Sequence, residues 1–299
     1  MSKFACVFPG QGSQSLGMLS GLAETHPIVQ ETFALASEAL GYDLWDLCQS
    51  GPEDKLNQTQ ITQPALLTAS IAAYEVFTLE NATPDFLAGH SLGEYTALVA
   101  AKVLTLSDAV KLVELRGQFM QQAVPAGVGA MYAIIGLDDD VIKQTCAEVQ
   151  SSTGEVVAAV NFNSPGQVVI AGNKAAVETA GAQLKEKGAK RALPLAVSVP
   201  SHCMLMKPAA EQLAEKLASI EWHSPSIPVI NNVDVAICES PESIQDALVR
   251  QLYMPVRWTE TVESLSAQGV TKIVEVGPGK VLTGLNKRIN KSLELSSFN

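Results

Sequence analysis

Apolar positions along the chain follow two patterns, short uninterrupted apolar runs and longer segments with apolar residues three and four positions apart. The short runs predict buried strands, and the longer segments predict helices with one apolar face. Toward both ends of the chain the two patterns alternate, which is typical of an α/β fold. The clearest predicted strands there are residues 3–8, 86–88, 229–233 and 272–276.

The middle of the chain follows a different order. From Gly129 onward the pattern predicts strand, helix, strand, strand, helix and strand, the last strand being residues 191–197. This β-α-β-β-α-β order is typical of ferredoxin-like units. We therefore expect a small ferredoxin-like subdomain, residues 127–197, inserted into a large α/β subdomain that consists of residues 1–126 and 198–299.

Capping signals predict where two helices begin. Thr105 and Asp108 form a capping-box pattern before a helix that reaches about Val124. Farther upstream, Pro64 stands where a first helical residue is favoured, and Thr62 is the candidate cap. Apolar residues at helical spacing follow both starts, so each helix is expected to bury one face.

The composition restricts the class of protein. The chain has 299 residues, of which 47% are hydrophobic, and a formal net charge of −11. No uncharged apolar run approaches the roughly 20 residues that a membrane span needs, and the first apolar run is too short for a signal peptide. We therefore expect a cytoplasmic protein with no membrane contact and, given its negative charge, no binding to nucleic acid.

The five cysteines lie far apart and include no Cys-x-x-Cys pair. An odd, scattered set argues against a disulfide framework and against a structural zinc site, and no metal is expected. Cys203 adjoins a candidate catalytic histidine, but adjacent residues rarely face one another. We expect Cys203 to be a buried, inert thiol.

The strongest chemical signal is Gly89-His90-Ser91-Leu92-Gly93, which fits the pattern G-x-S-x-G between a predicted strand and a predicted helix. In that context the pattern presents a serine hydroxyl on a sharp turn. The N–H of Leu92 would then point toward the oxyanion that forms when Ser91 attacks a carbonyl. The alternative is a chance match in a chain with 21 glycines.

A serine nucleophile needs a base, and the chain has four histidines. His26 and His223 lie in segments where a structural role explains them, and His90 adjoins the serine on the same tight turn. His202 follows a predicted strand and precedes a predicted helix, where α/β enzymes present catalytic groups. We predict that His202 is the base, with helix capping beside Ser201 as the alternative.

No acidic third member of a triad is evident between Ser91 and His202. The acidic residues 138–140 begin a helix of the predicted small subdomain instead. A Ser–His dyad, with the ring oriented by a neutral acceptor, fits these residues better than a triad.

Arg116 lies on an apolar helix face, because Ala109, Val113, Arg116 and Met120 are spaced by three or four residues. A buried guanidinium is costly unless an anion meets it, and its planar fork suits a carboxylate. If the anion belongs to the substrate, the acyl group is a dicarboxylic half-thioester. The alternatives are a structural ion pair and a side chain whose charged end reaches solvent.

The loop Gly10-Gln11-Gly12-Ser13-Gln14 follows the first predicted strand. It lacks the third glycine of a dinucleotide site and the Gly-Lys-Ser/Thr of a phosphate-binding loop. It offers main-chain N–H groups, such as that of Gln11, near a reaction centre. As a lone pattern this loop is weak evidence for any ligand.

Six motifs occur in one order along nearly the whole chain. They are Phe8–Gln14, Gly89–Tyr95, Arg116-Gly117, Asn161–Gln167, Val199–His202 and Glu275–Gly279. In this combination the chain resembles the malonyl-CoA:acyl carrier protein transacylases of bacterial type II fatty acid synthesis. Its end, soon after the last predicted helix, resembles the free-standing enzyme rather than a module of a polyketide synthase.

The resemblance implies a role for each matching position. Ser91 would be the acylated nucleophile, His202 its base, and Arg116 the partner of the malonyl carboxylate. The N–H groups of Gln11 and Leu92 would form the oxyanion hole.

The resemblance also implies a role for Gln251 and a fold, and the position of Met120 indicates a further role. Gln251 resembles the residue whose acceptor orients the histidine, which would explain the missing acid. Met120 is a candidate for setting the width of the acyl pocket. The family fold has an α/β-hydrolase-like large subdomain with a ferredoxin-like small one, in agreement with the pattern above.

The resemblance implies a ping-pong transfer of malonyl from coenzyme A to the carrier thiol, through an ester on Ser91, with no cofactor. We expect a monomer whose partners are malonyl-CoA and an acyl carrier protein. Both partners are anionic, so each needs a local basic patch on this acidic chain. The candidate residues, for which ordinary solvated charge is the alternative, are Lys187, Lys190, Arg191, Lys287 and Arg288.

Two other functions stay open on the sequence. A serine hydrolase would share the turn and the histidine but would need no arginine in its acyl pocket. A catalytically silent module that binds carrier protein would leave Ser91 unmodified by malonyl-CoA.

Overall fold

The computed structural model describes residues 3–197 and 199–299, and within them the chain forms a mixed α/β fold with two separate sheets. The strands are β1 (Lys3–Phe8), β2 (Phe86–Gly89), β3 (Gly129–Ile135), β4 (Val157–Ser164), β5 (Gln167–Asn173), β6 (Arg191–Pro194), β7 (Val229–Ile230), β8 (Val270–Val276) and β9 (Glu294–Phe298). The helices are α1 (Ser20–Thr25), α2 (Ile28–Leu40), α3 (Leu44–Ser50), α4 (Glu53–Leu56), α5 (Thr59–Glu80), α6 (Leu92–Ala100), α7 (Leu106–Ala123), α8 (Asp139–Thr153), α9 (Lys174–Glu186), α10 (Lys207–Leu217), α11 (Pro241–Gln251), α12 (Trp258–Ala267) and α13 (Val281–Ile289).

The larger sheet has the strand order β7-β2-β1-β8-β9, and every neighbouring pair in it is parallel. Its central strand β1 is buried from Ala5 to Phe8, so its apolar run is continuous rather than alternating. The carboxyl ends of β1 and β2 lie side by side, because Phe8 pairs with Gly89. Ligands of open parallel sheets bind at such strand ends.

Helices cover both faces of the parallel sheet. On one face, α5 is buried along most of its length and packs with α2 and α7 through a cluster that includes Phe33, Leu66 and Val113. On the other face, α12 and α13 contribute Trp258 and Leu285 to a second cluster. This double cover encloses the strands and leaves their carboxyl ends as the place for a site.

The smaller sheet has the order β4-β5-β3-β6, and all of its pairs are antiparallel. Helices α8 and α9 pack on one of its faces, where Ile142, Ile170 and Val177 share a cluster. Met131 and Val169 belong to a different cluster, which also includes Cys203 from the second half of the chain. The smaller sheet therefore packs against the segment that carries the predicted base.

Helix α5 begins earlier than the sequence predicts. Its first residue is Thr59, and Pro64 lies inside the helix rather than at its start. The Thr62 hydroxyl does not cap it but donates to the carbonyl oxygen of Leu56 at 2.6 Å. All these side chains are buried, so tertiary packing overrides the local signal of the proline.

The other predicted start agrees with the structure, since Asp108 N–H donates to the Thr105 hydroxyl at 3.1 Å where α7 begins. Strand β6 ends at Pro194, earlier than predicted, and β9 is an additional strand that the pattern does not predict. Ser198, where the second part of the predicted large subdomain begins, lies outside the described residues. In the described part of the chain, no helix combines the length and the apolar character needed to cross a membrane.

Candidate active site

Ser91 lies between β2 and α6 with φ 53° and ψ −108°, a strained conformation for a residue with a side chain. The flanking glycines are required because the turn is crowded. A Cβ on Gly89 would lie 1.9 Å from the main chain of Gly93, and one on Gly93 would lie 2.1 Å from the carbonyl oxygen of Phe8. The G-x-S-x-G pattern therefore lets the turn pack directly against the end of β1.

Asn232, which is wholly buried, holds this turn from outside. Its Oδ1 accepts a hydrogen bond from the N–H of Ser91 at 2.7 Å, and its Nδ2 donates to the carbonyl oxygen of Gly89 at 2.7 Å. The side chain thus satisfies two main-chain groups at the turn. Asn232 could not be identified from the sequence, since it follows β7 in a segment that carries no recognisable motif.

His202 lies beside Ser91, with Nε2 of the ring 2.8 Å from Oγ of the serine. Its Nδ1 is 2.6 Å from the main-chain carbonyl oxygen of Gln251. A carbonyl only accepts, so Nδ1 carries the proton and Nε2 is left as the acceptor that faces Ser91. The backbone of His202 also has a positive φ, 64°, and its N–H donates to the carbonyl oxygen of Leu252 at 3.0 Å.

The environment keeps this ring neutral. Burial lowers the pKa of His202, and the Arg116 charge lowers it further, to about 3, although the bond to the Gln251 carbonyl oxygen acts in the opposite direction. Since the ordinary value is 6.5, the imidazole has no proton on Nε2 at neutral pH. A neutral Nε2 is the form that can accept a proton from a serine hydroxyl.

Arg116 is 1% exposed and lies on the inward face of α7, as the helical spacing predicts. Its Nη2 donates to Oγ of Ser91 at 3.3 Å and to Oε1 of Gln251 at 3.0 Å, and its Nη1 donates to Oε1 of Gln63 at 2.8 Å. Among the ion pairs of the described residues, none involves Arg116. A buried cation that is hydrogen-bonded only to neutral groups is suited to receive an anion from outside.

A cavity of about 180 Å³ is lined by six of the seven site residues that are predicted from the sequence. Besides Ser91, His202 and Arg116, its lining includes Gln11, Leu92 and Met120. The smaller sheet supplies another wall of the cavity, from Met131, Asn161, Asn163, Val169 and the segment after β6. The seventh residue, Gln251, lies behind the cavity, where it contacts both Arg116 and His202.

The two predicted oxyanion donors are positioned on different elements. Leu92 is the first residue of α6, so its N–H has no acceptor within the helix. Gln11 lies in the loop after β1, and its side chain donates to the Thr59 hydroxyl at 3.4 Å. Met120 is buried, and its sulfur accepts a hydrogen bond from Nε2 of Gln63 at 3.6 Å.

His90 and Cys203, the sequence neighbours of Ser91 and His202, have other partners. Nε2 of His90 is 2.8 Å from Oδ1 of Asn163, and its ring contacts that of Trp258. The Cys203 thiol donates to the carbonyl oxygen of Pro200 at 3.2 Å, and burial raises its pKa to about 11, so it is an inert thiol. Within residues 3–197 and 199–299, no three His, Cys, Asp or Glu side chains are grouped so that they could hold a metal ion.

The five basic side chains selected as candidate docking residues are all exposed. Two of them already have partners. Lys187 pairs with Glu148 at 3.0 Å, and Arg288 donates to the side chain of Gln167.

The chain matches the family model of the acyl transferase domain over residues 5–297, and it belongs to that family. The curated malonyl CoA-acyl carrier protein transacylase of Escherichia coli strain K12 is 62% identical over 300 residues, which cover 100% of this chain and 96% of that protein. A solved acyl carrier protein S-malonyltransferase from Vibrio cholerae is 66% identical, with a TM-score of 0.97 and coverage of 100% and 97%.

A second solved structure holds a malonyl-transacylase in complex with a type II polyketide synthase acyl-carrier protein. That transacylase is 61% identical to the chain, with a TM-score of 0.98 and coverage of 100% and 96%. Within the acyl transferases, the chain therefore belongs to the malonyl CoA-acyl carrier protein transacylases.

Proposed function

We propose that this protein moves malonyl from malonyl-CoA to the phosphopantetheine thiol of an acyl carrier protein through an ester on Ser91, in support of fatty acid synthesis. The observation that carries the proposal is the position of the Ser91 hydroxyl. It lies 2.8 Å from a neutral imidazole nitrogen and 3.3 Å from a buried guanidinium that has no anionic partner among the described residues.

In the first half-reaction, Ser91 Oγ attacks the thioester carbonyl while its proton passes to Nε2 of His202. The carbonyl oxygen becomes an oxyanion, which the N–H groups of Gln11 and Leu92 stabilise. When the tetrahedral intermediate collapses, the C–S bond breaks, and the leaving thiolate of coenzyme A takes the proton from His202. Loss of one such oxyanion donor typically costs about 3–4 kcal/mol.

In the second half-reaction, the carrier thiol gives its proton to Nε2 of His202 and attacks the malonyl ester. The ester C–O bond breaks, and the proton returns to Ser91 Oγ. Gln251 orients His202 throughout by accepting from Nδ1–H. Every proton in this ping-pong sequence is held by Ser91, His202 or a thiol, and we therefore propose no metal or other cofactor.

Arg116 selects the acyl group by binding its free carboxylate. In a malonyl thioester a single CH₂ separates the carboxylate from the reacting carbonyl, so the cation that binds it must lie close to the nucleophile. The 3.3 Å between Nη2 of Arg116 and Ser91 Oγ meets that requirement. Met120, on the cavity wall, limits the width available at the CH₂ position.

We infer that the large subdomain is α/β-hydrolase-like and consists of residues 1–126 and 198–299, and that residues 127–197 form a ferredoxin-like insert. The order β4-β5-β3-β6 of the small antiparallel sheet supports this inference, as does the strand–turn–helix that carries Ser91.

The carrier protein docks from the side on which the cavity opens. Lys190, Arg191 and Lys287 are exposed and would attract an acidic carrier, and the solved complex of a 61% identical transacylase with its carrier supports such a partner. We propose that the protein acts as a monomer, since a single chain supplies every residue of the mechanism, and that it acts in the cytoplasm.

Mass spectrometry of the protein after mixing with malonyl-CoA tests the proposal. We expect a malonyl adduct on the peptide that contains Ser91, no adduct on Ser91→Ala, and disappearance of the adduct when a holo carrier protein is added. An unmodified Ser91 would show a silent binding module. An adduct that water removes as fast as the carrier does would show a hydrolase.

A second measurement separates the transferase from a general esterase. Arg116→Ala should lower kcat/KM for malonyl-CoA by about 100-fold or more, because it removes a charge-assisted bidentate contact. The value for acetyl-CoA should change far less. An unchanged preference for malonyl over acetyl would favour the hydrolase.

A further inference from the structure

Glu94 is a buried carboxylate that the mechanism above does not use. It is the third residue of α6 and is 2% exposed. At this position a glutamate commonly reaches back to the N-terminal cap of its own helix. Here the N–H of the cap residue Ser91 donates to Asn232 instead, so the ordinary capping explanation does not apply to Glu94.

The carboxylate bonds to two residues from distant segments. Its Oε2 accepts a hydrogen bond from the main-chain N–H of Asn232 at 2.9 Å and another from Nε2 of Gln251 at 2.8 Å. The first partner holds the turn of Ser91, and the second contacts both Arg116 and His202. Glu94 therefore touches the residues that surround the reacting groups without reaching the cavity itself.

The amide of Gln251 lies between a group that only donates and a group that only accepts. The Arg116 guanidinium donates to its Oε1 at 3.0 Å, and the Glu94 carboxylate accepts from its Nε2. An arginine cannot accept and an ionised carboxylate cannot donate, so a single orientation of the amide satisfies both neighbours. Nε2 of Gln251 also donates to the main-chain carbonyl oxygen of Ser91 at 3.1 Å. A neutral amide in place of Glu94 would therefore keep this orientation but would remove the charge that strengthens the bond from Nε2.

We propose that Glu94 is a positioning residue that, through the Gln251 amide, holds the Arg116 guanidinium beside Ser91 and thereby sets the preference for malonyl over acetyl thioesters. This inference rests on the role of Arg116 in the proposed function. Glu94 touches neither substrate nor reacting atom, so its effect should appear in substrate preference rather than in the chemistry common to all acyl groups.

The test compares kcat and KM of Glu94→Gln for malonyl-CoA and acetyl-CoA. The assay is run at about pH 8.5, above the pKa of about 7 that burial gives the Glu94 carboxyl. Under these conditions the substitution keeps the size of the side chain and removes its charge. We expect the malonyl preference to fall about tenfold, mainly through KM for malonyl-CoA, which corresponds to about 1.4 kcal/mol. The kcat for acetyl-CoA should change little. Equal losses for both substrates would overturn the inference.

Glu275→Gln is the matched control. Glu275 is also wholly buried, and its carboxylate accepts from the N–H groups of Leu282 and Thr283 at the start of α13. Its loss should lower stability without changing the ratio of malonyl to acetyl transfer. A similar fall in that ratio for Glu275→Gln would mean that preference merely follows general destabilisation, which would overturn the inference.

A double-mutant cycle then tests whether Glu94 acts through Arg116. In an Arg116→Ala background, Glu94→Gln should have no further effect on preference. An effect of undiminished size would contradict the inference while leaving the proposed function intact. Conversely, Arg116→Ala with unchanged preference would contradict the proposed function first.

If Glu94→Gln does not fold, Glu94→Asp replaces it. The aspartate keeps the charge but is one CH₂ shorter, so it cannot reach both of the original partners. The malonyl preference should again fall, and equal losses for both substrates would again overturn the inference.

Discussion

The main-chain carbonyl oxygen of Gln251 lies 2.6 Å from Nδ1 of His202, while Nε2 of the same ring lies 2.8 Å from Ser91 Oγ. A carbonyl orients the imidazole but brings no negative charge into the site. In the proposed mechanism, the imidazolium that forms during transfer is therefore stabilised less than it would be beside a carboxylate. The main-chain carbonyl oxygen of Gln251 orients the ring, and burial keeps the ring neutral.

The main-chain carbonyl and the side-chain amide of Gln251 have different partners, so removing the amide alone should have a specific effect. Gln251→Ala keeps the carbonyl oxygen that orients His202 but removes the amide that accepts from Arg116. We expect kcat/KM for malonyl-CoA to fall by about tenfold or more, as is typical for the loss of a hydrogen bond to a charged group, and that for acetyl-CoA to change far less. Steady-state kinetics with both thioesters measure the difference, and equal losses would show that the side chain serves the base.

The pH dependence of transfer follows from the low pKa of His202. The proposed base is inactive only when protonated, so the acidic limb of the activity profile should lie at the folded-state pKa, about 3, rather than at the ordinary 6.5. The rate of Ser91 acetylation by acetyl-CoA should therefore stay level as the pH is lowered from about 8 to about 5.5. Rapid-quench mass spectrometry at several pH values would measure it, and a fall centred near pH 6.5 would contradict the prediction.

Arg116→Ala provides the comparison for this pH profile. Its charge lowers the pKa of His202, so removing that charge raises the pKa and moves the acidic limb upward. Acetyl-CoA is the appropriate substrate because it has no carboxylate for Arg116 to bind.

The elements around the serine could be predicted closely from the sequence because local signals there agree with one another. The apolar run 86–88, the glycines and the helix of residues 92–100 all specify one strand–turn–helix. The start of α5 could not be predicted in this way, since Pro64 is a strong local signal that burial of the whole helix overrides. Strand β9 was not predicted because Glu294–Phe298 is mostly polar and lies at a sheet edge.

Site residues could be predicted from the sequence only where the residue type itself indicates a chemical role. A serine between glycines, a histidine after a strand and an arginine on an apolar face are conspicuous. The roles of Asn232 and Glu94 could not be predicted in this way, although Glu94 lies within the motif Gly89–Tyr95, because they depend on contacts between segments far apart in the sequence. For Gln251 the contact to His202 comes from the main chain, which every residue type possesses.

Gly93, the second glycine of the serine turn, gives a prediction about stability. Gly93→Ala would place a Cβ 2.1 Å from the carbonyl oxygen of Phe8, and backbone atoms on both sides must then shift. We expect a loss of about 3 kcal/mol or more in the free energy of unfolding, measured by urea denaturation, together with loss of acylation.

Gly284→Ala is the control for that substitution. Gly284 lies inside α13 with no atom within 4 Å of an added Cβ, so alanine should stabilise the helix by about 0.5–1 kcal/mol. A Gly93→Ala protein as stable as the unmodified one would show that the turn tolerates a side chain.

The stability of the fold should also depend on pH through Glu94. Burial raises the pKa of this carboxyl to about 7 from its ordinary 4.5, although the hydrogen bonds from Asn232 and Gln251 and the charge of Arg116 lower it. Because the folded-state value is the higher one, the contribution to stability is complete below about pH 4.5 and is lost as the pH rises through about 7. Glu94→Gln cannot titrate, so the unmodified protein should lose up to roughly 3 kcal/mol relative to this variant between about pH 4.5 and pH 7.5. Urea denaturation of both proteins across that range measures the difference in unfolding free energy. Both proteins contain His202, so its titration affects both equally and does not contribute to the difference. A difference in unfolding free energy that does not change with pH would mean that Glu94 is ionised in the fold at both ends of the range.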